Sequence, residues 1–188
     1  MSRGVPQKTK RLTASALLAA MGVALIFLGS IIEALDLSAA ALASFLCLFA
    51  VIEFGGIYPW LIFAVTGILS VILMPYTMGG WFYLLFFGYY PILKNKLEKL
   101  KKPIAWILKM LLLNGAVAIS IVIAGFLLYG GNVYDAFMMT FGEDGWGIYA
   151  AIGTYLLLNV TFVVYDIALN RLIVFYNVKI RSKFKFLR

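Results

Sequence analysis

Residues 89–102 read YYPILKNKLEKLKK. Two tyrosines and a proline lead into five lysines, Lys94, Lys96, Lys99, Lys101 and Lys102, with a single glutamate, Glu98, among them. The surrounding chain is apolar: of 188 residues, 64% are hydrophobic, 16% aromatic and only 13% charged. A soluble domain of this length is about half apolar and about a quarter charged. Too few polar side chains remain to cover a globular surface, so the expected class is an all-α polytopic integral membrane protein. In that setting the basic stretch marks where the chain leaves the bilayer.

Working outward from it, six apolar segments have the length or composition of a membrane helix, which needs about 20 residues. They are 12–35, 38–53, 57–75, 79–93, 103–129 and 148–176, and the second and fourth are short. Turn chemistry separates them. Asp36 divides the first pair, Gly55-Gly56 precede the third, and PYTMGG (Pro75–Gly80) follows it. Pro103 opens the fifth, where a proline suits a helix start, and Gly130-Gly131 close it. Pro91 lacks a backbone donor and is expected to kink the fourth segment.

The charges sort along this map. Arg3, Lys8, Lys10 and Arg11 precede the first segment. The five central lysines follow the fourth, with Lys109 just inside the fifth. Arg171, Lys179, Arg181, Lys183, Lys185 and Arg188 come at the end of the sixth and beyond. These groups account for all 16 lysines and arginines. With six crossings they fall on one side, and five of the eight acids, Glu33, Asp36, Asp135, Glu143 and Asp144, fall on the other. The positive-inside rule then places both termini in the cytoplasm. The expected organisation is a basic N-terminus (1–11), a six-helix transmembrane domain (12–176) and a basic tail (177–188). Leu93, Leu97 and Leu100 recur at helical spacing, so the central stretch reads as an amphipathic inner-face anchor with its lysines against anionic lipid.

Three features are candidates for function. Ala16, Ala20 and Ala24 form a small-residue stripe that fits close approach by another helix, in this chain or in a partner. Tyr155, Asn159, Asp166 and Asn170 fall within about 60° of arc on the last helix. A carboxylate there is costly unless paired, and Glu53, Lys109, Asp166 and Arg171 are expected to form an intramembrane charge cluster. That cluster is structural, or a coupling-ion or substrate site, or else its charges snorkel to the interface without a partner. Trp81, Tyr83, Tyr129, Trp146 and Tyr149 lie near the outward helix ends, beside the long loop of about 131–147, as belt residues or as the wall of a small-molecule pocket.

Absences narrow the classes. There is no histidine, which removes His-based acid–base chemistry and the usual zinc sites. Cys47 stands alone, so no disulfide forms within the chain. No G-x-x-x-x-G-K-[ST] P-loop, H-E-x-x-H or nucleophile elbow occurs. No enzyme, cofactor, metal site or nucleic-acid partner is expected.

The start TKRLTASALLAAMGVAL (Thr9–Leu25) and the run FAVIEFGGIYPWLIFAVTGILSVILMP (Phe49–Pro75) resemble the substrate-binding S components of energy-coupling factor (ECF) transporters. The resemblance implies six helices with both termini inside, in a bacterial plasma membrane. It further implies docking through Ala16 and Ala20 on a shared transmembrane coupling subunit, with cytoplasmic ATPases acting in trans. Substrate is then expected in the outward half, with Trp81, Tyr83, Trp146, Tyr155 and Asn159 as lining residues. Two other functions fit the same residues: a non-transporting structural or assembly protein of the envelope, and a stand-alone ion-coupled carrier built on Asp166 and Lys109.

Overall fold

A computed structural model describes residues 6–128, 130–131, 134, 138, 142 and 146–180. The described residues are helical, with no strand among them. α1 spans Gln7–Ile31, α2 Asp36–Glu53, α3 Tyr58–Leu73, α4 Met78–Phe82, α5 Tyr90–Leu97, α6 Lys102–Leu128 and α7 Gly147–Phe175. Four helices are long and apolar enough to cross a membrane: α1, α2, α6 and α7. α3 is apolar but has only 16 residues, about 24 Å at 1.5 Å per residue. The shortfall therefore falls on the third segment and the fourth, not on the second.

The fourth segment is broken, and its sequence explains the break. α4 continues into a π-helical turn at Tyr83–Phe87, in which the Gly88 amide reaches back to the Tyr83 carbonyl at 2.8 Å. Pro91 cannot donate to the Phe87 carbonyl and its ring crowds that turn. The helix restarts as α5 with Pro91 in its first turn. The kink expected at Pro91 is thus a wide turn followed by a new helix start. Such π turns concentrate at functional positions.

α1 also begins earlier than the sequence suggests, at Gln7, so Lys8, Lys10 and Arg11 are its first turn. It packs on α2 and α3 through small residues. Ser15, Ala19, Gly22, Ile26 and Gly29 are its buried positions, spaced by four and three. A side chain at Gly29 would collide with Ala39 of α2, and one at Gly22 would meet Thr66 of α3. The Thr66 hydroxyl donates to the Ala19 carbonyl at 3.2 Å. These contacts are the close backbone approaches that hold helices together where lipid removes the hydrophobic drive.

The direction of each helix follows from its contacts. Ala19 of α1 clusters with Ala50 and Phe54 at the end of α2 and Ile62 near the start of α3, and Ile26 with Ala40, Ala43 and Met74 at their other ends. Tyr176, just past α7, bonds Glu53 at the end of α2. α6 runs antiparallel to α7, with Lys109 against Asp166 and Asn114 against Tyr155. The start of α1, the α5–α6 junction and the end of α7 therefore share one end of the bundle, here termed the cationic end.

Candidate functional site: a buried ion cluster beneath an apolar cavity

Asp166 is 2% exposed and lies on the packed stripe of α7 with Phe162, Tyr165 and Leu169. Its carboxylate receives three donors. Lys94 of α5 and Tyr90 donate to Oδ1, and Lys109 of α6 sits 3.1 Å from Oδ1 and 3.0 Å from Oδ2. Lys94 and Lys109 are themselves only 1% and 4% exposed. Glu98, one turn after Lys94 and partly exposed, completes the group: its Oε1 is 2.9 Å from Lys94 Nζ and 3.9 Å from Lys109 Nζ. Two cations thus face two carboxylates, and each buried charge of this group has an opposite neighbour, the condition under which charges tolerate a low-dielectric interior.

The cluster corrects two expectations. Glu53 and Arg171 are not part of it. Glu53 is buried at the end of α2, where its Oε1 accepts from Tyr176 at 3.0 Å. Arg171 is exposed on α7, five residues and so about 140° around the helix from Asp166. Lys94 is the member that sequence reading assigned to the inner-face anchor. The α5 restart is what redirects it: with the helix reset at Tyr90, Lys94 falls one turn below Tyr90 on the same buried face. Lys96, Lys99, Lys101 and Lys102 remain exposed, as an anchor requires.

Directly above the cluster, away from the cationic end, lies a cavity of about 300 Å³. Leu37, Ser38 and Ala41 at the start of α2 form one wall. Phe82, Phe86 and Phe87, around the π turn, form the back, with Leu113 of α6. The first half of α7 supplies the opposite wall, from Thr154 and Leu157 down to Phe162 and Tyr165. The Tyr165 hydroxyl is tied to Ser44 of α2 at 2.6 Å. Phe86, Tyr90 and Phe162 pack with centroids 4.9–5.4 Å apart and separate the cavity from the ions. Among the described residues no Lys, Arg, Asp or Glu lines it.

Three helices serve both features. α7 gives Tyr165 to the cavity and Asp166 to the cluster, and α6 gives Leu113 and, one turn earlier, Lys109. The bent fourth segment gives Phe86 and Phe87 to the cavity, then Tyr90 and Lys94 to the cluster. Chemically, the cluster can fix the lower ends of these helices. The cavity can hold a small apolar body.

The residues expected to line a pocket do not line this one. Trp81 donates its ring N–H to the Pro75 carbonyl at 2.9 Å, and Tyr83 is fully buried beside Phe63. Trp146 is 80% exposed next to Tyr149. Tyr155 bonds Asn114 of α6 at 2.6 Å, and Asn159 donates to the Tyr155 carbonyl at 2.9 Å, so this part of the polar line joins α6 to α7. Tyr129, Asp135, Glu143 and Asp144 lie outside the described residues, as does most of the 131–147 loop. Ala16, Ala20 and Ala24 are exposed, on the side of α1 away from its buried stripe, so they do not pack against the described residues of the chain. Sequence reading missed the phenylalanines because aromatic residues in an apolar helix carry no periodic signal separating wall from core. Comparison with family models, curated proteins and solved structures finds no match to this chain.

Proposed function

We propose that this protein is the membrane-embedded substrate-binding subunit of an ECF-type uptake transporter. It captures a small molecule from the outer side and depends on ATPases in trans. The observation that carries the reading is the cavity of about 300 Å³ set into the half of the bundle away from the cationic end. A protein with a purely scaffolding role needs no such space, and an unfilled cavity costs packing energy.

In this reading the chain makes six passes in a bacterial plasma membrane, with both ends in the cytoplasm. The gathering of Lys8, Lys10, Arg11, the α5–α6 junction and the end of α7 at one end supports that orientation under the positive-inside rule. α3 and the broken fourth segment are short, and they complete their passes largely against neighbouring helices, where irregular backbone is tolerated. Ala16, Ala20 and Ala24 form the docking face for a coupling subunit. Their exposure supports this, because α1 already has a separate stripe for its own chain. The chain carries no P-loop, so nucleotide hydrolysis belongs to the partner.

The cluster favours this reading over an ion-coupled carrier. Asp166 is held by two lysines and a tyrosine, so its charge is matched within the bundle and the cluster suits a fixed tie between helices rather than an ion path. The test is purification of the tagged chain from its own cells. Co-isolation of a membrane protein with ATPase subunits, lost in Ala16→Trp and Ala20→Trp, is the expected outcome. Isolation of the chain alone, or association untouched by both variants, would contradict it.

A further inference from the structure

The cavity's lining also bears on what it holds. Among the described residues its walls carry four phenylalanine or leucine side chains for every hydroxyl that is free to bond, and no charge. The nearest ions lie behind Phe86, Phe162 and Tyr165 and are already matched to one another. A charged ligand would leave water for a site without a counter-ion, which is strongly unfavourable. Two hydroxyls on opposite walls, Ser38 and Thr154, make no hydrogen bond among the described residues. By contrast, Thr161 donates to its own helix at Leu157 and Tyr165 is tied to Ser44.

The mouth is placed within the bilayer. Thr154, Leu157 and Thr161 line the cavity and are exposed, Leu157 to 68%, so the cavity is open along this stretch of α7. They sit seven to fourteen residues after Gly147, about 10–21 Å along the helix. An opening at that depth faces lipid chains.

We infer that the cavity takes an uncharged, membrane-soluble ring compound bearing one or two hydrogen-bonding groups, admitted sideways from the bilayer between α2 and α7. The rings of Phe82, Phe86, Phe87 and Phe162 offer flat faces to such a body, and Ser38 and Thr154 bond its polar edge. The inference rests on the binding-subunit reading for the cavity's purpose and adds the ligand's class and its route.

The experiment uses the full chain in nanodiscs of zwitterionic lipid at pH 7, titrated calorimetrically with 2-naphthol and with its anionic counterpart 2-naphthoate, empty nanodiscs giving the background. Saturable binding of one 2-naphthol per chain is expected, with 2-naphthoate weaker by about tenfold or more. Ala41→Phe, which fills one wall, abolishes it, and Leu157→Trp at the exposed mouth does so without burdening the core. Ser38→Ala with Thr154→Val weakens it by about threefold to tenfold. Any of three results overturns the inference: no saturable 2-naphthol binding, 2-naphthoate bound as tightly, or binding unchanged in both filling variants. Native mass spectrometry adds a fourth, a phospholipid retained by the wild type and released by Leu157→Trp, which assigns the cavity to an acyl chain. Association with ATPase subunits is read separately. Its loss with 2-naphthol binding intact removes the transporter reading alone, and the reverse removes the ligand class alone.

Discussion

The two halves of this molecule are held together by different physics. α1, α2 and α3 meet through small side chains, Ala19, Gly22 and Gly29 against Ala50, Thr66 and Ala39, so that backbones come close and dispersion accumulates. α5, α6 and α7 meet through ions and rings, Lys94, Lys109 and Tyr90 on Asp166 and an aromatic layer above. The first arrangement leaves no room. The second spaces its helices with long side chains, and the cavity lies where α7 runs past the reach of those contacts. Close packing makes a frame, while polar anchoring at one level leaves the level above open for a ligand.

The comparison is broken most severely at the ions. Asp166→Ala leaves two buried lysines with only the partly exposed Glu98 opposite them and is expected to cost about 3–5 kcal/mol, read as a shift in unfolding by denaturing detergent. Replacing all three buried charges together, with Lys94→Met, Lys109→Met and Asp166→Leu, removes the desolvation penalty with the attraction. Most of that loss is expected to be recovered. If the triple variant is as unstable as the single one, the cluster is not a self-contained unit.

In the packed half, Gly29→Leu forces a side chain into Ala39 and is expected to cost about 1–3 kcal/mol by the same measurement. Binding of 2-naphthol is expected to be unchanged in that variant, since the damage lies in the frame. Tyr165→Phe tests the seam between the halves. It removes the bond to Ser44, which keeps its contact with the Ala41 carbonyl, and is expected to cost about 0.6–1.5 kcal/mol. At the small end, Ala16→Trp and Ala20→Trp face outward and are expected to leave stability within about 0.5 kcal/mol, changing association only.

Much of the frame was legible from composition and turn chemistry. The apolar runs located the helices to within a few residues, because hydropathy over about 20 positions integrates a large signal. The exceptions have local causes. Arg11, Lys10 and Lys8 belong to α1 although charged, since helices extend past the hydrocarbon with basic residues that reach the headgroups. Pro91 predicts a kink, but not the reset it imposes on register, and that reset buries Lys94. Asp166 and Lys109 could be paired from their depth alone. Glu53 shared the depth but not the helix face, and depth says nothing of azimuth. The cavity was invisible because its walls use the same residue types as the core.

The direction in which the bundle faces matters most, since the proposed capture from outside requires the cationic end to be inside. In a Cys47→Ala background, Lys99→Cys at the α5–α6 junction and Trp146→Cys at the start of α7 place one exposed thiol near each end. A membrane-impermeant maleimide added to intact cells is predicted to label Trp146→Cys and to reach Lys99→Cys only after the membrane is opened. Labelling of Lys99→Cys in intact cells, or of both positions from one side, would contradict the account.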